Sequence, residues 1–183
     1  LNLRNLVLEN ETLRFEFADD TFALDLENLP TLDAALAPLP KPPPHQYLSP
    51  NGERAAFIRE HNLWVRNFGD GDEVQLTFDG ETNGIINGSA DWVYEEEFEF
   101  TQAYAWSPKG SFLAFYRFDE TNVPEYNMTI FDNTYNKDYR YKYPKAGDSN
   151  STVQIFIHDL AAGKNVKAQF PEGDIYIPRI KWT

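Results

Sequence analysis

Three consecutive carboxylates, Glu95, Glu96 and Glu97, close the stretch Asp91-Trp92-Val93-Tyr94-Glu95-Glu96-Glu97. Ionised side chains at adjacent positions repel one another. A bare run of this kind reads first as a solvated acidic turn. Here it follows directly on a Trp and a Tyr, which carry large apolar bodies and favour burial. A charged surface run needs no such anchor, whereas a carboxylate cluster held in place to receive a cation does. On these residues alone both readings stand, an acidic turn beside two core aromatics or a held cation site. Asp91 is of the type that caps a helix N-terminus, so a one- or two-turn helix holding Trp92 to Glu97 is expected. Neighbouring helical residues point about 100° apart. One cation therefore meets two of the carboxylates only near the helix end, where both side chains bend toward it.

The elements that position this stretch belong to one domain of ordinary size, 183 residues long. The chain carries 16 Lys and Arg against 29 Asp and Glu, a net charge of −13. Nucleic acid is repelled by such a chain, and cationic ligands are attracted. There is no Cys, which rules out disulfides and thiolate metal sites. No run of about 18 apolar residues is present, and no signal peptide is visible. The first residue is Leu1, so the chain reads as cut from a longer polypeptide. Aromatic residues make up 15% of it, with Gly and Pro at short intervals, which favours an all-β fold.

A repeat sets the architecture. Leu48-Ser49-Pro50-Asn51-Gly52, then Glu53 to Phe57, returns as Trp106-Ser107-Pro108-Lys109-Gly110, then Ser111 to Phe115, an offset of 107 − 49 = 58 residues. Trp182-Thr183 resembles the opening of a third copy, 183 − 107 = 76 residues on. Pro presets φ for the turn and Gly supplies the positive φ that reverses the chain. Each copy precedes a second hairpin: 62–66 with 73–76 around Gly69-Asp70-Gly71, and 152–158 with 166–170 around Ala162-Gly163-Lys164. Four short antiparallel strands per repeat read as β-propeller blades, which cannot bury both faces alone and so stack around an axis. A β-sandwich with two coincident turns is the alternative. Residues 48–80 and 106–170 are expected to be consecutive blades. Since a closed ring needs at least about four blades, the chain is expected to be a partial β-propeller, an arc of a larger ring. Its exposed faces and edges are expected to leave it marginally stable or self-associating.

Residues 13–17 and 21–26 read as a hairpin of a preceding blade. The Pro-rich run Ala37 to Pro44 reads as an extended connection, because Pro lacks the amide donor a central strand needs. The Glu triplet lies between the two repeats, on an insertion, where function concentrates.

Four stretches, in order along the chain, carry a resemblance. Asp91 to Glu97 followed by Trp106-Ser107-Pro108-x-Gly110-x-Phe112-Leu113-Ala114-Phe115, then Val123-Pro124-Glu125-Tyr126 and Tyr143-Pro144-Lys145-Ala146-Gly147-Asp148-Ser149-Asn150-Ser151-Thr152-Val153, resemble the N-terminal propeller of the dipeptidyl peptidase IV family. The close match runs from about Asn83 to Thr183; residues 1–82 match in pattern more than identity. The resemblance implies that the whole chain, 1–183, is part of an N-terminal eight-bladed propeller. That propeller caps a C-terminal α/β-hydrolase domain bearing a Ser-Asp-His triad. It implies a serine peptidase that removes dipeptides ending in Pro, or less well Ala, from free peptide N-termini. By motif position the ligands of the substrate's α-amine would be Glu96 and Glu97, with Glu95 secondary. The family's carbonyl-holding Arg would fall on Arg14, although its neighbours Leu13 and Phe15 depart from the family pattern. A homodimer, and a periplasmic, cell-surface or secreted location, follow by the same resemblance.

The chemistry stands on its own. An α-amine has a pKa near 8 and is mostly protonated at neutral pH. Two carboxylates around it give charge-assisted hydrogen bonds. One pair at 4 Å is worth about 4 kcal/mol at an effective dielectric of 20, before desolvation. Anchors at a fixed distance from a nucleophile measure two residues to the scissile bond and exclude blocked N-termini.

The chain itself has no Gly-x-Ser-x-Gly elbow, no metal-ligand spacing and no sign of a cofactor. His45, His61 and His158 are scattered, with His158 reading as a packing or surface residue. Alone, the chain is expected to be inactive. Two further classes compete with substrate recognition. One is a non-catalytic propeller that binds a protein partner; the other is a glycan-binding or scaffold propeller, which would not need the Glu pair. Sequons begin at Asn10, Asn87, Asn127 and Asn150.

Overall fold

A computed structural model describes residues 3–9, 12–17, 20–25, 46–131, 134–171 and 173–183. The chain divides into two units, residues 1–44 and 45–183. In the first, β1 (Leu3–Glu9), β2 (Thr12–Phe17) and β3 (Asp20–Asp25) form an antiparallel sheet in that order. The expected hairpin is β2–β3, with Phe15 opposite Phe22. Strand β1, which the pattern did not single out, pairs with the other side of β2. The Pro-rich run falls outside the described residues.

The second unit opens with a four-stranded antiparallel blade. Strands β4 (Tyr47–Leu48), β5 (Arg54–Arg59), β6 (Asn62–Asn67) and β7 (Glu73–Gln75) follow one another in space as in sequence. The second blade is built on β10 (Phe112–Asp119), with β13 (Thr152–Asp159) and β14 (Lys164–Lys167) on one side. On its other side lie two short strands end to end. β9 (Tyr104–Trp106) covers the first part of β10 and β8 (Ile85–Asn87) the last part.

The repeat is structural. Leu48 pairs with Ala55, and Trp106 with Leu113, at the same 58-residue offset. In the first turn Gly52 N–H donates to the Ser49 carbonyl at 2.9 Å, and Arg54 N–H to Ser49 Oγ at 3.0 Å. In the second, Gly110 N–H donates to the Ser107 carbonyl at 2.8 Å, and Phe112 N–H to Ser107 Oγ at 3.0 Å. Both glycines have positive φ, 70° and 66°. The two turns also touch: a Cβ on Gly110 would lie 3.3 Å from Asn51 Oδ1.

Why β10 reads as a nearly unbroken apolar run is clear from its two faces. Leu113 and Phe115 point into a core shared with Ala56, Leu63, Val65 and Leu76 of the first blade. Tyr116 and Phe118 point the other way, into a second core with Ile86, Tyr94, Ala103 and Ile155. A strand covered on both faces has no polar alternation to show. Tyr104 crosses between the blades, its hydroxyl donating to the Ala56 carbonyl at 3.0 Å.

One expectation needs correction. The Glu stretch does not precede the second blade as a link between blades. It is an excursion from within that blade, leaving after β8 and returning at β9. The reason is length: β10 has eight residues and β9 only three, so the remaining edge of β10 is satisfied by β8. The neck is laced by Gly88 N–H to Tyr116 O, Ala103 N–H to Gly88 O, and Ala90 N–H to Thr101 O. A second hairpin, β11 (Glu125–Ile130) with β12 (Lys137–Lys142), forms a separate two-stranded ribbon. Nothing in the repeat pattern anticipated it.

Candidate functional site

Helix α1 (Trp92–Phe98) carries the triplet. Asp91 caps it as expected: its backbone is extended, and Oδ1 accepts the Tyr94 N–H at 2.8 Å. The helix runs one residue beyond Glu97 and stops where Glu99 takes a left-handed conformation, φ 58°. Such a C-cap position ordinarily goes to Gly.

Three tethers fix this short helix, which has too few turns to stand alone. The Trp92 ring packs edge-on against Tyr143, with centroids 4.3 Å apart. Tyr94 is buried among Phe98, Phe118 and Tyr116, and its hydroxyl oxygen accepts the Ile177 N–H at 2.8 Å. Burial pushes the Tyr94 phenol up to about 12, so it remains neutral. Ile177 is held from its other side too, its carbonyl accepting the Tyr116 hydroxyl at 3.0 Å. The third tether is at the cap, where Asp91 Oδ2 accepts the hydroxyl of Ser151.

On the open face the picture reverses. Glu95, Glu96 and Glu97 are all exposed, and none forms an ion pair among the described residues. Glu96 and Glu97 lie in the last turn, where the unsatisfied carbonyls already make the helix end negative. No basic residue occupies that turn. Local helix stability favours cations there, so these carboxylates oppose it. What the arrangement does favour is an added cation. Glu97 lines an open groove of about 510 Å³ between α1 and the segment around Pro144, Lys145 and Asp148. Glu96 does not line it, as expected of neighbours that diverge around a helix. Arg14 lies in β2, in the other unit, opposite Ala23.

Residues that sequence reasoning passed over complete the support. Glu120 is 8% exposed at the end of β10, and burial pushes its carboxyl up to about 7, with the Asp91 charge adding and Lys142 opposing. Asp91 is likewise raised by burial, offset by its bonds from Ser151 and Tyr94. Lys142 donates to the Val123 carbonyl at 2.8 Å. Sequence adjacency gives no sign of this cluster, which gathers from four separate segments. His158 is a packing residue, buried and bonded to Asn165 at 2.7 Å. Of the sequons, Asn87 is fully buried and bonded to Asp79, Asn127 is exposed, Asn150 donates to the Tyr176 hydroxyl, and Asn10 lies outside the described residues.

A family model described as the dipeptidyl peptidase IV N-terminal region matches residues 2–183. The chain belongs to this family. Dipeptidyl peptidase 4 of Felis catus is 41% identical over 149 residues, covering 74% of this chain and 20% of the relative. Prolyl endopeptidase FAP of Homo sapiens is 37% identical over 153 residues, covering 78% of this chain and 20% of the relative. The crystal structure of Porphyromonas gingivalis dipeptidyl peptidase 4 aligns with a TM-score of 0.72 at 36% identity, covering 99% of this chain and 25% of that one. This member of the dipeptidyl peptidase IV family thus spans about a fifth of the length of the curated relatives it matches. Its fold is all-β, a partial β-propeller with, among the described residues, one short helical insertion that carries the Glu motif.

Proposed function

We propose that this chain is the substrate-recognition propeller segment of a dipeptidyl peptidase IV-like serine exopeptidase. The parent removes N-terminal X-Pro, or less readily X-Ala, dipeptides, and Glu96 and Glu97 bind the substrate's free α-amine. One observation carries the reading. A tightly capped, aromatically anchored helix presents exposed carboxylates at its negative end, with no cation paired to them among the described residues. Glu95, in the first turn, is secondary. Arg14 is assigned to a substrate carbonyl. The triad belongs to a C-terminal hydrolase domain of the same polypeptide, so residues 1–183 form part of the N-terminal propeller domain and are inactive alone. No cofactor is needed for this chemistry. The location that fits the substrate class is periplasmic, cell-surface or secreted.

The alternative, a propeller that contacts a protein partner, draws on the β11–β12 ribbon. Tyr126, Met128, Phe131, Tyr135 and Tyr139 are all exposed there. The same ribbon supports a homodimer of the parent.

The test is to present the full-length protein with Gly-Pro-headed peptides, free or acetylated at the N-terminus, and to detect the released dipeptide by mass spectrometry. Release from the free peptide only is expected. Equal cleavage of both sinks the amine reading, and cleavage of neither favours the partner-binding alternative.

A further inference from the structure

We propose that Ser151 is a positioning residue for the amine site, its hydroxyl holding Asp91 at the cap of α1 and so setting where Glu96 and Glu97 stand. This rests on the amine reading above and deepens it. Asp91 is 6% exposed, and both of its oxygens are committed, one to the Tyr94 N–H and the other to the Ser151 hydroxyl. No Lys, Arg or His pairs with it among the described residues. A buried carboxylate without a counter-ion depends on its hydrogen-bond donors to remain an acceptor.

The surroundings raise that dependence. Glu120, also buried, stands close enough to feel the Asp91 charge, which helps push its carboxyl up to about 7, so it offers Asp91 no compensating positive charge. Among the described residues the cation that acts on Glu120 is Lys142, and carbonyls engage its ammonium, Val123 O at 2.8 Å and Thr121 O at 3.4 Å. Tyr94 is the remaining titratable group close to Asp91, and it stays neutral. Withdrawing the Ser151 hydroxyl therefore leaves the buried Asp91 carboxylate with a single donor, the Tyr94 N–H.

Ser151 is well placed to act as a fixed point. It immediately precedes β13, whose first residue Thr152 pairs with Asp119 of β10. The clamp thus ties the helix cap to the central strand pair, across 60 residues of sequence. From Asp91 to Glu96 is five residues, about 7.5 Å of helix rise. Over so short a rod, a shift of the cap is felt at the carboxylates. The Trp92 and Tyr94 tethers hold the sides of the helix, the Ala90 N–H to Thr101 O bond holds the chain entering it, and the Ser151 hydroxyl holds the Asp91 side chain at the cap.

The experiment uses the full-length protein with Ser151→Ala and the isosteric pair Ser151→Thr and Ser151→Val, set beside Glu97→Gln. Thr keeps the hydroxyl and Val does not, so a general packing loss affects both alike. Expected for Ser151→Ala and Ser151→Val is a rise in KM for free-amine dipeptidyl substrates of roughly 3- to 10-fold with kcat little changed, the size of one hydrogen bond. Ser151→Thr should restore KM to within about 2-fold. Hydrogen exchange at the Tyr94 amide should quicken in Ala and Val and not in Thr. If Glu97→Gln raises KM while Ser151→Val matches Ser151→Thr in both readouts, the positioning role is overturned and the amine reading survives. If Glu97→Gln leaves KM unchanged, both fall together.

Discussion

The indole Nε1 of Trp182 donates to the Ala105 carbonyl at 3.1 Å, one repeat on from the bond that Trp106 Nε1 makes to the Tyr47 carbonyl, also at 3.1 Å. The acceptors stand 105 − 47 = 58 residues apart, which is the repeat offset. Trp106 heads the second Ser-Pro-turn segment and reaches back to β4, the first strand of the copy before it; Trp182 reaches in the same way to β9. Trp182 thus repeats the bond of Trp106, as the resemblance of Trp182-Thr183 to the opening of a third copy leads one to expect. The Trp106 bond ties the second blade to β4 of the first.

Trp106→Phe and Trp182→Phe keep most of the aromatic packing and remove one donor each. Each is expected to lower stability by up to about 1 kcal/mol through the lost bond, less at Trp106, where water can reach the Tyr47 carbonyl. Urea unfolding of the single and double variants measures this. The two sites share no acceptor, so the losses should add. A double variant no weaker than either single would show that the bonds are not independent contacts.

Gly88 sits at the neck of the Glu-helix excursion with φ 77°. A Cβ there would lie 2.7 Å from Ile58 Cδ1 and 3.2 Å from Leu63 Cδ1 and Tyr104 Cδ1. Gly88→Ala combines left-handed strain with overpacking of the inter-blade core, and a loss of about 2–4 kcal/mol is expected. Thermal unfolding reads it. A loss below about 0.5 kcal/mol would mean that the neck relaxes freely.

Much of this was legible in the sequence, and the limits have physical causes. The Ser-Pro-x-Gly turns declare themselves because Pro and Gly act locally. The Asp91 cap does so because its acceptor and its donor are three residues apart. Strand β8 is three residues, Ile85-Ile86-Asn87, too short to show a period, and its membership depends on how much of β10 is left bare. The β11–β12 ribbon hides for the opposite reason: most of its side chains are exposed, so no buried face imprints an alternation. Ser151 and Glu120 look like surface residues beside polar neighbours, and only long-range folding brings them to Asp91.

Glu120 gives a dependence on pH. Its folded carboxyl titrates at about 7 against an ordinary 4.5, because burial disfavours the charge. Between those values the native state keeps a proton that the unfolded chain has released. Stability therefore falls as pH rises from about 4.5 to 7, and the full cost remains above. A shift of this size corresponds to on the order of 3 kcal/mol. Glu120→Gln is expected to remove most of that slope and to raise stability at pH 8 relative to pH 5. Chemical denaturation at both pH values tests it. A variant that keeps the wild-type slope would place the titration elsewhere, with Asp91, whose carboxyl is raised in the same direction, the next to examine.

Glu96→Gln and Glu97→Gln keep shape and remove charge. If the two carboxylates hold a substrate ammonium, each change should depress kcat/KM for free-amine dipeptidyl-proline substrates by about 10-fold or more, some 1.4 kcal/mol of transition-state binding. Folding should be untouched, because the side chains are exposed and their mutual repulsion is relieved. The substrate adds its own signature. A peptide α-amine loses its proton near pH 8. Wild-type kcat/KM should therefore decline above that pH as the ammonium disappears, while the double variant, with no charge pair to lose, should show a much shallower decline. Glu95→Gln should change little, since that residue belongs to the first turn of the helix and is the secondary ligand in the motif. The comparison separates charge recognition from mere proximity. Wild-type rates in the Glu96 and Glu97 variants, or an alkaline limb unaltered by removing both charges, would make the triplet an acidic surface turn and nothing more.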